Sequence, residues 1–166
     1  MKKLVLLLLV LFSLFSFAKK VNIVILETSD LHGRLFSYDY AIDQVDSSAG
    51  LTKVATIIKE ERAKNKNLIL ADNGDTVQDN NAELFNSMPI HPMIQGLNDL
   101  KYDFWTLGNH EFNFEKEFLL KNISGFKGKV LSANVIKEDG TPLVNPYVIK
   151  NIDGVRVAFI GMTPPH

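Results

Sequence analysis

The sequence predicts an α/β layered fold, a parallel or mixed sheet with helices packed on it. Three observations carry this. Short β-branched runs alternate with segments of helical periodicity, three of those runs end in polar, glycine-containing motifs, and the chain closes in a β-rich stretch.

The elements follow in order. Lys2 and Lys3 precede an apolar run from Leu4 to Phe17, and Ser16 and Ala18 set small residues before Lys19. This is a signal-peptide pattern, too short for the ~20 residues that cross a bilayer core, with cleavage expected after Ala18. Residues 1–18 are therefore set apart from a single domain over 19–166, and export to the periplasm or outside, with no stable membrane anchor, is expected. Val21 to Leu26 reads as a strand buried on both faces. From Gly50, Leu51, Val54, Ile57 and Ile58 recur at helical spacing, with Glu60, Glu61, Arg62 and Lys64 outside. Leu68 to Ala71 is a second strand. Pro89 to Leu100 is a helix with Met93, Ile94 and Leu97 on one stripe, and His91 at its start is expected to cap it or lie exposed. Phe104 to Leu107 is a third strand, Phe114 to Lys121 a short helix, Lys121 to Lys129 a surface loop and Lys129 to Ala133 a fourth strand. Tyr147 to Lys150 and Val155 to Ile160 are strands joined through Asn151-Ile152-Asp153-Gly154. Phe36, Phe104, Trp105 and Phe112 are expected in the core.

Composition narrows the chemistry. The 166 residues contain no cysteine, which excludes thiolate catalysis, Cys-ligated zinc, iron-sulfur clusters and disulfides. A net charge of −1, falling to −3 when Lys2 and Lys3 leave with the leader, offers no general attraction for a nucleic-acid polymer. No G-x-G-x-x-G, G-x-x-x-x-G-K-[ST] or G-x-S-x-G occurs, so neither a phosphate-cradling glycine loop nor a serine nucleophile is supported.

In an open α/β sheet ligands bind beyond the carboxyl ends of the strands. Three polar motifs fall there: Ser29-Asp30-Leu31-His32-Gly33, Asp72-Asn73-Gly74-Asp75-Thr76 and Gly108-Asn109-His110-Glu111. Together they would gather Asp30, His32, Asp75, Asn109 and His110. Asp30 and His32, two apart in an extended segment, can reach one cation. The Asp75 carboxylate has two oxygens that can bridge two cations, or it only stabilises its turn. Asn109 offers a neutral amide oxygen. His110 can be a ligand, or stand over a substrate as an acid or charge stabiliser. Oxygen and imidazole donors without sulfur suit Mn²⁺, Fe, Zn²⁺ or Co²⁺. Two such ions about 3.5–4 Å apart activate water and clamp the oxygens of an in-line phosphoryl displacement. Metal-assisted phosphoester hydrolysis is the expected chemistry.

These motifs, in this order, resemble the calcineurin-like metallophosphoesterases. Thr28-Ser29-Asp30-Leu31-His32-Gly33, Leu107 to Asn113, Leu131-Ser132-Ala133-Asn134-Val135 and Ile160-Gly161-Met162-Thr163-Pro164 are similar to the secreted branch of 5′-nucleotidases and 2′,3′-cyclic-nucleotide 2′-phosphodiesterase/3′-nucleotidases. The resemblance spans residues 21–166. It implies a small nucleotide substrate and two divalent metal ions, one held by Asp30 and His32, the other helped by Asn109, with Asp75 bridging. His110 is then expected to assist the phosphate or leaving group. The 5′-nucleotidase branch commonly places an Asp three residues after that His; here the position is Asn113, which cannot support an imidazolium by charge. With Ser37-Tyr38-Asp39-Tyr40, this leans toward the cyclic-phosphodiesterase branch. The family's later histidines and base-gripping domain do not occur before His166, so residues 19–166 are expected to be the N-terminal part of the metallophosphoesterase catalytic domain of a longer enzyme, with a truncated, non-catalytic product as the alternative.

Overall fold

The computed structural model describes residues 20–165; the leader expected over 1–18 and the terminal His166 lie outside them. Four strands form one wholly parallel sheet in the order β1-β4-β5-β6: β1 (Val24–Thr28), β4 (Leu68–Asp72), β5 (Phe104–Thr106) and β6 (Lys129–Leu131). Antiparallel strands pair in two separate hairpins, β2 (Tyr38–Asp39) with β3 (Gln44–Val45), and β7 (Tyr147–Ile152) with β8 (Val155–Ile160), and an isolated antiparallel bridge joins Ile136 to Pro142. Parallel strands need long crossovers, and the helices supply them. They are α1 (Leu51–Lys64), α2 (Pro92–Asp99) and α3 (Lys116–Gly125).

The sheet is covered on both faces except at its β1 edge. Toward the helices, Leu26, Leu70, Trp105 and Val130 pack with Leu51, Ile58, Met93, Ile94 and Leu97. On the opposite face Ile69, Phe104 and Leu131 meet the β7–β8 hairpin through Ile152, Val157 and Phe159, and the Phe104 and Phe159 rings stand 4.5 Å apart. A two-residue turn closes the hairpin, with Asp153 at φ 52° and Gly154 at φ 92°, the left-handed pair that matches strand twist.

Several expectations shift. Pairing in β1 starts at Val24, where Leu68 is its neighbour, so Val21 and Ile23 pack beneath the hairpin without joining the ladder. β1 is not buried on both faces: it is the sheet edge beyond the hairpin's reach, and Ile25 is 53% exposed. The α3 helix runs one turn past Lys121, so much of the stretch expected as a surface loop is helical, and it is only partly at the surface, with Ser124 and Lys127 exposed. Phe126 is buried against Trp105, and Asn122, fully buried, accepts from the His91 N–H at 3.0 Å and donates to the Phe118 carbonyl. His91 caps α2, its Nδ1 accepting from the Met93 N–H, but it is fully buried rather than exposed because Nε2 meets the Ala82 carbonyl at 3.1 Å. Burial lowers its pKa to about 4, so the ring is neutral near pH 7. Phe104 and Trp105 are core residues and Phe112 packs against the core. Phe36 instead is 55% exposed, carried outward with the β2–β3 hairpin, where it lines a cavity of about 280 Å³ with Tyr38, Tyr40 and Phe85. Among the described residues no helix is long and apolar enough to cross a membrane.

Candidate metal centre

The loops leaving β1, β4 and β5 meet at one edge of the sheet. The first two are zipped together through their backbones: the N–H groups of Asp30, His32 and Gly33 donate to the carbonyls of Gly74, Asp75 and Thr76 at 2.9–3.0 Å. This corrects the expectation of an extended Asp30-Leu31-His32 segment. Asp30 and His32 take left-handed φ values of 54° and 45°, set by the zipper. Their side chains still face each other, with His32 Nε2 3.7 Å from Asp30 Oδ1.

Glu111 joins the second loop to the third. Its carboxylate accepts from the N–H groups of Asp75 at 2.8 Å, Thr76 at 2.7 Å and Gly108 at 2.7 Å, while the residue is fully buried. Burial raises the Glu111 pKa, and the three N–H donors oppose that rise by favouring the anion. The two loops come so close that a Cβ on Gly74 would lie 2.3 Å from the Gly108 nitrogen. In the same region the Asp75 Oδ1 accepts from the His110 N–H at 2.9 Å. Asp75 is thus held from three sides, by its own N–H, its carbonyl and one carboxylate oxygen.

Below this layer sits Asp72, fully buried at the end of β4. The hydroxyl of Thr28 lies between Asp72 Oδ2, 2.6 Å away, and the Tyr102 hydroxyl, 3.1 Å away; Thr76 Oγ1 and the Gly74 N–H donate to Oδ1. Burial pushes the Asp72 pKa up to about 7, against the donors that favour its charge. The motifs after β6 and β8 brace the same edge. Asn134 and Thr163 exchange two hydrogen bonds, and Thr163 Oγ1 donates to the Leu107 carbonyl at 2.7 Å.

At the centre, ligand-capable atoms of His32, Asp75 and His110 all lie within 4.8 Å of one another, and the two imidazole rings stand edge to face at 5.2 Å. Asp30 flanks His32, and Asn109 opens the 3₁₀ turn His110–Phe112 with its carboxamide making no capping bond. The five expected site residues therefore gather at one edge. Carboxylate oxygen, amide oxygen and imidazole nitrogen with no thiolate form a donor set that fits a divalent ion of the Mn²⁺, Zn²⁺, Fe or Co²⁺ kind.

Sequence reasoning gave no role to Glu111, Asp72, Gln78 or Asp79. Glu111 lay inside a recognised motif, but nothing in its neighbours His110 and Phe112 announces a buried carboxylate. Asp79 accepts His32 Nδ1 at 2.8 Å, and Gln78 accepts from Asn113 Nδ2 at 2.5 Å. These two lie on an irregular loop, where no periodicity announces direction.

The Calcineurin-like phosphoesterase family model matches residues 23–161. The chain is 36% identical over 90% of its length to the trifunctional nucleotide phosphoesterase YfkN of Bacillus subtilis, of which it spans 12%. It is 35% identical over 89% of its length to the 2′,3′-cyclic-nucleotide 2′-phosphodiesterase/3′-nucleotidase of Yersinia enterocolitica, of which it spans 25%. The fold superposes on the crystal structure of YfkN with a TM-score of 0.75 at 35% identity, covering 86% of this chain and 48% of that one. The match to NAD nucleotidase of Haemophilus influenzae gives a TM-score of 0.72 at 28% identity, covering 88% of this chain and 27% of that one. With the family model and the fold in agreement over nearly all the described residues, the chain belongs to the calcineurin-like phosphoesterases.

Proposed function

We propose that this chain supplies part of a dinuclear metal site that hydrolyses the phosphoester of a small nucleotide, a 2′,3′-cyclic nucleotide or 3′-nucleotide before a 5′-nucleotide. The observation that carries the reading is the convergence of His32, Asp75 and His110 within 4.8 Å at the ends of β1, β4 and β5. The relatives named for nucleotide phosphoester hydrolysis support it.

In this reading Asp30 and His32 would hold one ion, Asn109 would help hold the second, and Asp75 would serve both. The bound ions would supply Lewis acidity toward the phosphoryl oxygens and lower the pKa of water. The chain's own work is positional. Glu111 and the backbone zipper fix the backbone of Asp75 against that of His32, so the segments that carry these two ligands are positioned before any ion binds. His110, tied through its N–H to Asp75, faces the phosphate or the leaving oxygen and stabilises charge there. Four donors fall short of the five or six that each ion takes, so donors from outside the described residues complete the shells. The signal-peptide pattern in the sequence of residues 1–18 supports export, so the enzyme would act outside the cytoplasm.

Calorimetric titration with Mn²⁺ tests this. The full chain is expected to bind weakly and Asp75→Asn to lose that binding with its fold retained. The polypeptide that carries the chain and its remaining ligands is expected to hydrolyse 2′,3′-cyclic AMP only with metal. Rapid metal-dependent hydrolysis of bis(p-nitrophenyl) phosphate by residues 19–166 alone would contradict the need for outside donors, and metal binding unchanged in Asp75→Asn would remove the site.

A further inference from the structure

We propose that the carboxylate of Asp79 sets opposite proton positions on the two histidines of the site, leaving His32 with a bare Nε2 and His110 with an N–H at Nε2. The two effects leave Asp79 from its two oxygens. An ionised carboxylate accepts and does not donate, so every group within hydrogen-bond distance of it must present a hydrogen; Asp30, 3.7 Å from His32 Nε2, is beyond that distance.

Oδ2 lies 2.8 Å from His32 Nδ1. The proton of the neutral ring is therefore on Nδ1, and Nε2, the nitrogen beside Asp30, carries a lone pair. This is the tautomer a metal-binding imidazole needs, held by the carboxylate partner such ligands commonly have.

Oδ1 accepts from Gln78 Nε2 at 3.2 Å. That bond orients the Gln78 amide, because turning it over would set oxygen against oxygen. Gln78 Oε1 then points to Asn113 and accepts from its Nδ2 at 2.5 Å. The orientation of Asn113 follows in turn, since its own oxygen cannot face Oε1. The same Nδ2 lies 2.9 Å from His110 Nδ1. An amide NH₂ has two hydrogens and accepts nothing, so its second hydrogen goes to His110 Nδ1, which must be bare. The neutral ring then carries its proton on Nε2, the nitrogen not engaged by Asn113.

The consequence separates two residues that distance alone makes equivalent. His32, Asp75 and His110 form a triad of possible ligands by proximity. Proton placement keeps His32 in the ligand set and removes His110, whose Nε2 becomes a hydrogen-bond donor, the kind of group that can stabilise an anionic oxygen. An Asp at position 113 would do the reverse: it would draw the proton to Nδ1 and leave Nε2 bare. Asn113, Gln78 and Asp79 are positioning residues. The tautomer assignment is independent of the substrate; the use of His110 as a donor to phosphate rests on the function proposed above.

The test is a long-range ¹H–¹⁵N correlation spectrum of the full chain without metal or substrate, in mildly alkaline buffer where an ordinary imidazole is neutral. Bare and protonated ring nitrogens have well-separated ¹⁵N shifts, and His32→Gln and His110→Gln assign the signals by loss. The expected pattern is a bare Nδ1 in His110 and a bare Nε2 in His32. Asn113→Asp, at an exposed position, is expected to exchange the two His110 nitrogen shifts and leave His32 as it was. Gln78→Leu is expected to bring the His110 shifts toward an average of both tautomers. A protonated Nδ1 on His110 in the unaltered chain, or a His110 pattern unmoved by Asn113→Asp, would overturn the proposal. Since neither spectrum involves turnover, a failure here is distinct from a failure of the hydrolase reading, which the cyclic-nucleotide assay decides.

Discussion

Glu111 holds Asp75 by its backbone: one buried carboxylate oxygen accepts the Asp75 N–H at 2.8 Å, and the same carboxylate takes the N–H groups of Thr76 and Gly108. The side chain from the third loop thus sets where the second loop presents its ligand. Glu111→Ala would leave three N–H groups without acceptors, those of Thr76 and Gly108 buried and that of Asp75 partly buried, each buried one at about 1–3 kcal/mol. Glu111→Gln would keep one oxygen and turn an amide NH₂ toward an N–H. Urea unfolding is expected to show a loss of several kcal/mol for Ala and a smaller loss for Gln. If both variants stay within about 0.5 kcal/mol of the parent, the level of an ordinary surface change, the clamp has no energetic weight.

Asp72 makes stability depend on pH in the direction opposite to a salt-bridged carboxylate. Its pKa rises from 3.8 unfolded to about 7 folded because the residue is buried. Between those values the folded state binds more proton than the unfolded state, so stability is fully present below about pH 4 and declines as pH rises through 7. At 1.36 kcal/mol per unit, the decline from pH 5 to 8 is about 2–3 kcal/mol. Asp72→Asn removes the titration, and its NH₂ can donate to the Thr28 hydroxyl where Oδ2 accepted. Urea midpoints at pH 5 and 8 with chelator present are expected to fall for the parent and to differ much less for the variant. An equal fall in both would assign the slope to other groups.

The fold was legible in the sequence where hydrophobic period and turn chemistry agree. Leu51, Val54 and Ile58 gave α1, Leu68 to Ala71 gave β4, and Asp153-Gly154 gave the hairpin turn. The convergence of His32, Asp75 and His110 at one edge was legible because each sits just past a strand in a short motif. What escaped was set by partners distant in sequence. Ile25 has the same β-branched character as Ile69, and only the sheet edge leaves one exposed and the other buried. The left-handed turns at Asp30 and His32 come from a zipper to residues 74–76, which spacing along one strand cannot reveal. Asp79 and Gln78 act through bonds to residues 47 and 35 positions away.

His91 tests burial from another side. Its ring, fully buried beside Phe118 and hydrogen-bonded to Ala82, is held neutral with a pKa near 4 instead of 6.5. A histidine with a depressed folded pKa contributes stability that is present above 6.5 and is lost as pH falls toward 4. The ring proton signals of His91 are expected to stay flat from pH 8 to about 5.5, where an exposed imidazole has already taken its proton. A midpoint near 6.5 would show that the ring reaches water and that the cap at α2 is open.

Two glycines separate strain in the chain from geometry in the site. Gly154 has φ 92°, and a Cβ there meets nothing within 4 Å. Gly154→Ala therefore costs the left-handed conformation alone, about 1–2 kcal/mol, and leaves the site untouched. At Gly108 a Cβ would lie 2.2 Å from Asp75 Oδ1 and 2.6 Å from the Asp75 nitrogen. Relief there requires moving the carboxylate that the Glu111 clamp and the His110 N–H hold in place. Gly108→Ala is expected to lower Mn²⁺ affinity of the chain at least tenfold, which is about 1.4 kcal/mol, while Gly154→Ala leaves it unchanged at a comparable loss of stability. Equal affinities in the two variants, read by calorimetry at matched folded fractions, would mean that Asp75 can be displaced without cost to the ion and that its place between the loops is not what binds it.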